Sequence, residues 1–295
     1  MSYATLNPVD TKLAETAHYF LSKPATPGFD YSGTIVSSTT GSLAPGTRVF
    51  GQTAMPNGGA LAEYILVKGT DACVPLPSGV PLRDAACAGI AGKTAYDTLV
   101  PYLAKLPQGA KVLINGGSGG VGTFGIQISK LLGCYVTATC SGPNVELCKQ
   151  LGADQVIDYR TEPLVPSLTR AGTQYDLILD YVLADTDLYW QSHAYLKPEG
   201  QFLTIAGGPN LKFISFMLQV FLIPKFLGGG ARKFGFVGCE AKQEGYSQLA
   251  QWMADGRVKA VVERTYSMEE VSEAYRKLKT GRVRGKLVVE ISGEQ

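Results

Sequence analysis

The stretch Lys111–Gly133, KVLINGGSGGVGTFGIQISKLLG, constrains the fold more than any other part of the chain. A short apolar run, Lys111–Asn115, leads directly into Gly117, Gly119 and Gly122, spaced G-x-G-x-x-G. An apolar helical pattern follows through Val121, Phe124, Ile126, Ile128, Leu131 and Leu132, and Gly125 permits close packing. In such a strand–turn–helix the first glycine allows the tight turn. The second lets backbone approach a pyrophosphate, and the third lets helix lie on strand. The first N–H groups of the helix lack internal partners and share the positive end of its dipole, so the turn suits an anion. The glycine spacing alone is a weak signal; framed by strand and helix it is a strong one. A glycine-rich surface loop would rarely sit between two such apolar segments.

From Lys111 onward strand and helix alternate. The strand candidates are Lys111–Asn115, Tyr135–Cys140, Gln155–Tyr159, Tyr175–Val182, Gly200–Ala206 and Phe234–Cys239, with helices expected over 121–132, 143–151 and 185–195. Six strands with intervening helices imply an α/β fold, a doubly wound (Rossmann) parallel sheet. Before about residue 83 the pattern changes. Short runs such as Tyr31–Ser37, Arg48–Phe50 and Leu61–Val67 are broken by Pro-Gly, Asn-Gly and Gly-Gly, as in a small β-rich domain. Met268–Leu278 reads as an amphipathic helix and Gly285–Ile291 as a strand.

Hydrophobic content of 45%, charged content of 18% and a net charge of +2 are ordinary for a globular enzyme and point to no nucleic-acid partner. Six cysteines without a C-x-x-C pair suggest reduced thiols and a cytoplasmic setting. His18 and His193 have no neighbours at metal-ligand spacing, so no metal site is expected. The most apolar segment, Leu211–Leu227, is short and interrupted by Gln219, Pro224 and Lys225, so no integral membrane segment is expected. It suits a buried loop-helix, or a surface that meets a partner or an apolar ligand.

Blocks along almost the whole chain resemble the medium-chain dehydrogenase/reductase superfamily, in its zinc-free quinone oxidoreductase branch. They are LNPVDTKL at 6–13, PGFDYSG at 27–33, GALAEYILV at 59–67, TAYDTL at 94–99, NGGSGGVGTFGIQISKLLG at 115–133, LGADQVIDY at 151–159 and GRVRGKLVVEI at 281–291. The resemblance implies a GroES-like β-barrel catalytic domain, residues 1–83 with 258–295, and a Rossmann domain, 84–257. It implies the cofactor in the cleft between them, and often a homodimer. Relatives begin a few dozen residues earlier, so the barrel is expected to be incomplete, without its opening strands.

NAD enzymes usually place a carboxylate at the end of the second strand. Here that strand ends TATCSGPN, with no carboxylate until Glu146, which favours NADPH. By resemblance, Gly117, Ser118, Gly119, Gly120, Val121 and Gly122 hold the pyrophosphate, and Ser141 and Tyr159 lie beside the 2′-phosphate. Asn144 stands near the place where relatives carry a basic residue, and Arg160 is a possible substitute or a surface arginine. Thr94 and the backbone at Gly207 and Gly208 would meet the nicotinamide, Phe234 and Phe236 would line its pocket, and Lys286 would lie near the cofactor. Thr94 equally suits a helix cap, Phe234 and Phe236 equally suit a core, and Lys286 equally suits the surface. Lys93 either faces the cleft or reaches solvent.

The reaction implied is hydride transfer to a quinone or an α,β-unsaturated carbonyl, with a lipophilic small-molecule substrate suggested by Leu211–Leu227. Charge developing on the carbonyl oxygen needs a donor. The candidates are Asn7, Tyr31 and Tyr64, although Asn7 before proline is also a natural turn residue. Asp10 is expected to tie backbone together. Two other readings stand beside this one: a trans-acting enoyl reductase working on a carrier-bound chain, and a non-catalytic NADPH-binding interaction protein.

Overall fold

The computed structural model describes residues 1–16, 25–39, 41, 43–56, 58–207, 211–224, 227, 229–238 and 241–293. The strands are β1 (Tyr3–Leu6), β2 (Asp30–Thr34), β3 (Arg48–Gln52), β4 (Ala72–Pro75), β5 (Lys111–Asn115), β6 (Tyr135–Cys140), β7 (Gln155–Asp158), β8 (Tyr175–Asp180), β9 (Leu196–Thr204), β10 (Lys233–Phe236), β11 (Val262–Tyr266) and β12 (Lys286–Glu290). The helices are α1 (Pro8–Thr16), α2 (Leu82–Cys87), α3 (Lys93–Leu103), α4 (Gly120–Leu131), α5 (Val145–Gln150), α6 (Leu164–Ala171), α7 (Asp187–Trp190), α8 (Leu211–Leu222), α9 (Tyr246–Ala254) and α10 (Val271–Lys279). Two compact units result. The first comprises Met1–Tyr96, Gly119–Phe124 and Cys239–Gln295; the second comprises Asp97–Ser118 and Gly125–Gly238.

The second unit is built on a six-stranded sheet in the order β10-β9-β8-β5-β6-β7. Every pairing in it is parallel. Taking β5 as the first strand, the order reads 3-2-1-4-5-6, the doubly wound arrangement whose switch point lies between β5 and β8. Both faces are covered, so the central strands read as continuous apolar runs rather than alternating ones. Val112, Leu113 and Ile114 of β5, and Leu177, Ile178 and Leu179 of β8, are all buried. An aromatic cluster fills the β9–β10 side of the sheet. Phe234 stacks on Phe202 at a centroid distance of 6.0 Å, and Tyr189 and Phe216 meet Phe234 edge-on.

The first unit carries a six-stranded sheet in the order β11-β12-β1-β2-β3-β4. All its pairings are antiparallel except β11 with β12. Its core gathers Ala4, Leu6, Tyr31, Val49, Leu61, Tyr266, Leu278, Leu287 and Val289. The chain between α2 and α3, Ala88–Gly92, is a wide helical turn broken at Gly89 (φ −47°, ψ −109°). Only glycine fits there, because a Cβ would lie 2.4 Å from Asp30 Oδ1.

The six expected strands of the parallel sheet are present, β5 and β6 with the expected bounds, and β9 extends back to Leu196. The segment Leu61–Val67, read as a strand, is not one. Ile65 and Val67 pack on the core, but Tyr64 and Leu66 are 74% and 80% exposed and no described strand pairs with the segment. Alternation alone thus records which side chains face the core, not whether a ladder forms. The 185–195 region is two short turns, α7 and Ser192–Ala194, rather than one helix. Five cysteines are free and buried; Cys239 lies outside the described residues.

Phe202 is fully buried where three aromatic rings meet. Phe202→Ala should therefore cost about 3–5 kcal/mol in urea unfolding. A loss below about 1 kcal/mol would show that the cluster is not close-packed.

Candidate functional site

The second unit contributes the ends of the strands at the switch point. Asn115, the last residue of β5, links both neighbouring strands. Its Nδ2 donates to Asp180 Oδ1 at 2.8 Å, and its Oδ1 accepts from Thr139 Oγ1 at 2.6 Å. Thr139 also receives the turn: its Oγ1 and carbonyl accept the N–H groups of Gly116 and Gly117 at 3.1 and 2.8 Å. Gly116 is left-handed at φ +93°, which favours glycine. A Cβ on Gly117 would lie 2.9 Å from that of Ala138, and one on Gly125 would lie 3.3 Å from the Tyr181 ring. These two glycines let α4 and the turn lie close on the sheet.

Asp180 is fully buried. Its Oδ1 also accepts the N–H groups of Val182 and Leu183 at 3.0 and 2.8 Å, holding Leu183 in a left-handed conformation at φ +49°. Burial pushes the Asp180 carboxyl above its ordinary value against these hydrogen bonds. Its Oδ2 has no hydrogen-bond partner among the described residues.

At the end of β6, Asn144 Nδ2 donates to Ser141 Oγ at 3.2 Å, which leaves the serine O–H to donate elsewhere. The Tyr159 N–H donates to the Cys140 carbonyl at 3.2 Å, so Ser141, Asn144 and Tyr159 come together at one end of β6 and β7. Asp158 joins them. It pairs with Cys140 in register, and a Cβ on Gly142 would lie 2.8 Å from its Oδ2. Asp158 was not singled out from the sequence.

Gly207 abuts the ring of Phe213, which lies 6.1 Å from Phe236, while Phe234 belongs to the aromatic core cluster. Gly208 lies outside the described residues.

The first unit holds a buried polar network around Asn7. Lys286 Nζ donates to Asn7 Oδ1 at 2.6 Å, to the Leu6 carbonyl at 3.2 Å and to Asp30 Oδ2 at 3.2 Å. Asp30 Oδ2 also accepts from Asn7 Nδ2 and Thr5 Oγ1, both at 2.8 Å, and its Oδ1 accepts the Ile90 N–H at 2.7 Å. Lys286 and Asp30 are 3% and 0% exposed. The stem of Lys286 passes Gly120, where a Cβ would lie 3.0 Å from its Cδ, and Gly119 bridges to Gly285. Asn7, Lys286 and the start of α4 are therefore neighbours. The three ammonium hydrogens of Lys286, however, already face three acceptors.

Tyr31 is not part of that network. Neighbouring strand residues face opposite sides, and Tyr31 donates to the Ala72 carbonyl at 2.9 Å within the core. Burial pushes its phenol above the ordinary value. Tyr64 is solvent-exposed. The three donor candidates are thus not brought together. Thr94 and Lys93 are buried at the start of α3, and Lys93 Nζ lies 6.0 Å from the centre of the Tyr246 ring rather than in solvent. Tyr246 in turn donates to Gln52 Oε1 at 2.8 Å. Neither Asp30 nor Tyr246 was singled out from the sequence. The sequence offers only one cue, that Asp30 lies within the block PGFDYSG.

Among the described residues no group of three or more His, Cys, Asp or Glu is placed to hold a metal ion. The turn Gly116–Val121 is half-exposed apart from buried Gly117, carries no acidic side chain and opens into the positive end of α4. These features fit the pyrophosphate of a dinucleotide bound at the switch point of a doubly wound, Rossmann-type sheet.

Comparison with known proteins agrees. Residues 1–78 match the alcohol dehydrogenase GroES-like domain, and residues 151–289 match a zinc-binding dehydrogenase model. The trans-enoyl reductase pgmF of Aspergillus terreus is 40% identical over 304 residues, covering 98% of this chain and 84% of that protein. The chloroplast envelope quinone oxidoreductase homolog of Arabidopsis thaliana is 29% identical over 300 residues, covering 97% and 87%. The solved quinone oxidoreductase from Coxiella burnetii superposes with a TM-score of 0.80 at 27% identity, covering 98% of this chain and 88% of that one. The chain belongs to the medium-chain dehydrogenase/reductase superfamily, in its quinone oxidoreductase branch. That family consists of NAD(P)H-type oxidoreductases.

Lys286 is a buried cation with one buried counter-charge. Lys286→Met should cost about 3–5 kcal/mol, because Asp30 is left buried and uncompensated. Adding Asp30→Asn should recover part of that loss in denaturant unfolding. A single-variant loss below about 1 kcal/mol would mean that the pair holds nothing.

Asp10 accepts the Asn7 N–H at 2.8 Å, and its Oδ1 has no partner among the described residues. Burial raises its carboxyl from 3.8 to about 7, opposed by the Asn7 hydrogen bond. The folded chain therefore holds this proton more tightly than the unfolded one. Stability from the group is full below pH 4 and is lost as pH rises to about 7. Asp10→Asn should remove this slope, so wild type loses ground to the variant between pH 4 and pH 8 in thermal unfolding. Parallel pH profiles would show Asp10 to be ordinary.

Proposed function

We propose that this chain is an NADPH-dependent reductase of quinones or α,β-unsaturated carbonyls, with a lipophilic acceptor. The observation that carries the reading is the strand–turn–helix at Lys111–Leu131, together with the Ser141–Asn144–Tyr159 group beyond it. Reduced nicotinamide supplies a hydride when bound. The turn Gly117–Gly122, with Ser118, Gly119, Gly120 and Val121, holds the pyrophosphate through backbone N–H groups. Gly207 and Phe236 shape the nicotinamide site, and Phe234, packed in the aromatic core cluster, is assigned no part in it.

Asn7 is the donor we assign to the acceptor oxygen. Its orientation is fixed chemically, because Nδ2 faces the Asp30 carboxylate and Oδ1 faces the Lys286 ammonium. One N–H of Nδ2 is engaged by Asp30, and the second is directed toward the substrate in this reading. Lys286 then acts through Asn7 by holding its amide, not by touching the cofactor. The exposed Tyr64 and the core-bound Tyr31 are assigned no step.

Likeness to pgmF across nearly the whole chain favours a second reading, reduction of an enoyl group presented in trans by a carrier. Following loss of reduced-nicotinamide absorbance with a quinone, a simple enone and a carrier-linked enoyl thioester tests both. Turnover of quinone or enone supports the first reading, and turnover of the thioester alone supports the second. Tight NADPH binding without turnover on any of them overturns both.

Cofactor choice rests on opposing groups. The Ser141 hydroxyl suits a 2′-phosphate, whereas the Asp158 carboxylate beside Gly142 repels one. NADPH should bind more tightly than NADH. Ser141→Asp should reverse the preference by about tenfold, and Asp158→Asn should strengthen NADPH binding more than NADH binding. Equal affinities in wild type, unmoved by either substitution, would sink the assignment.

A further inference from the structure

Two cysteines of the second unit meet behind the glycine turn. Cys140 ends β6 and Cys148 lies in α5; both are buried and neither is in a disulfide. Side chains alternate along a strand, so Cys140 shares a face with Ala138. A Cβ on Gly117 would lie 2.9 Å from Ala138 Cβ and 3.4 Å from Cys148 Sγ, which puts Cys148 on that same face. There the two thiols are hydrogen-bonded to each other.

This contact sets the order of reaction. The hydrogen bond from Cys148 favours the Cys140 thiolate and outweighs both burial and the repulsion of Asp158, so the Cys140 thiol lies below its ordinary value. Burial pushes the Cys134 thiol, by contrast, up to about 11. Cys140 is therefore the attacking sulfur, and Cys148 stands in place to resolve it. Residues 141–146 follow Cys140 directly and are partly or fully exposed, so local opening of that segment admits a small peroxide. The same segment carries the Ser141–Asn144 hydrogen bond and joins the two cysteines along the chain.

We propose that Cys140 and Cys148 form a reversible disulfide under hydrogen peroxide, and that this bridge weakens binding of the dinucleotide. The Cys140 thiolate attacks one peroxide oxygen and the O–O bond breaks. The hydroxide released is protonated to water, and Cys140 becomes a sulfenic acid. The Cys148 sulfur then displaces the sulfenic hydroxyl, so an S–S bond forms and a second water leaves. Two thiols lose two electrons, and one peroxide is reduced to two waters. Bridging draws the sulfurs from hydrogen-bond contact to about 2.05 Å. It pulls α5 toward β6 and shifts both the packing on Gly117 and the segment that carries Ser141 and Asn144. The effect on the cofactor rests on the proposed reading of Ser141 and the turn; the bridge itself does not.

The test treats the full chain with hydrogen peroxide, then unfolds it, alkylates it and cuts it after Lys130, Glu146 and Lys149. Cys140 and Cys148 then fall on different peptides that only the bridge can join, and alkylated Cys134 is the internal control. The joined pair should appear in the mass spectrum, and dithiothreitol should remove it. Fluorescence titration should show NADPH binding about tenfold weaker in the bridged protein, restored by dithiothreitol. Cys148→Ser should bind NADPH as reduced wild type does, give no joined pair and lose the reversible change. If that variant does not fold, Cys140→Ser must abolish the joined pair and the reversible change. The inference is overturned if peroxide leaves both cysteines alkylated or as sulfinic acids, or if the bridged protein binds NADPH as tightly as the reduced one. Reduced protein that binds neither NADPH nor NADH overturns the reading of the turn and with it the effect on the cofactor, while the peptide pair still decides the bridge.

Discussion

The buried pairing of Lys286 with Asp30 is the interaction on which the first unit turns. Removing two such charges from water costs several kcal/mol each, so the pair persists only because the remaining bonding capacity is filled. Asp30 accepts from Thr5, Asn7, Lys286 and the Ile90 N–H. Lys286 gives its hydrogens to Asn7, Leu6 and Asp30. One ion pair thereby ties β12, β1, β2 and the turn at Gly89–Ile90 together. It also explains the break at Gly89, where no side chain fits beside the carboxylate. Asn7 is oriented by the same two charges, so the candidate donor is set by the fold's electrostatics rather than by its own loop.

The second unit solves a comparable problem with one carboxylate, Asp180, and the neutral side chains of Asn115 and Thr139. Strands β5, β6 and β8 end at the switch point, where ladder bonds cease and backbone groups need other partners. Asn115 bridges Thr139 and Asp180, and Thr139 takes the N–H groups of Gly116 and Gly117. The turn is therefore fixed before any ligand arrives. The bonds that hold Gly116 and Gly117 come from β6, and Gly119 is bridged to Gly285.

Local chemistry was legible in the sequence, and distant pairing was not. The β5–turn–α4 unit could be read because its apolar pattern, glycines and helix start lie within about two dozen consecutive residues. The parallel sheet followed from repetition of the same alternation. The role of Lys286 did not follow, because its counter-charge lies 256 residues away in sequence and an exposed lysine has the same local signature. Leu61–Val67 failed for a different reason: alternation reports burial on one side, while a strand also needs a neighbour with matching backbone groups. Phe234 and Phe236 share a strand and alternate together, yet one joins an aromatic core and the other sits beside Phe213.

Cofactor electrostatics shows the same limit more sharply. The usual rule looks for a carboxylate at the end of the second strand of the parallel sheet, and there it finds Cys140 and Ser141. Parallel pairing sets Cys140 against Asp158 of β7, and the chain then bends so that this carboxylate lies against Gly142. A ligand phosphate at Ser141 would feel both strands, since Coulomb interaction falls with distance in space and not with separation in sequence. Asp158 is partly exposed and its Oδ1 accepts the Arg160 N–H, so solvent and that bond moderate its charge without removing it. The serine hydroxyl and the neighbouring carboxylate therefore pull in opposite directions at one sheet edge. Preference between the two nicotinamide cofactors is a balance across β6 and β7, which no single-strand signature can read.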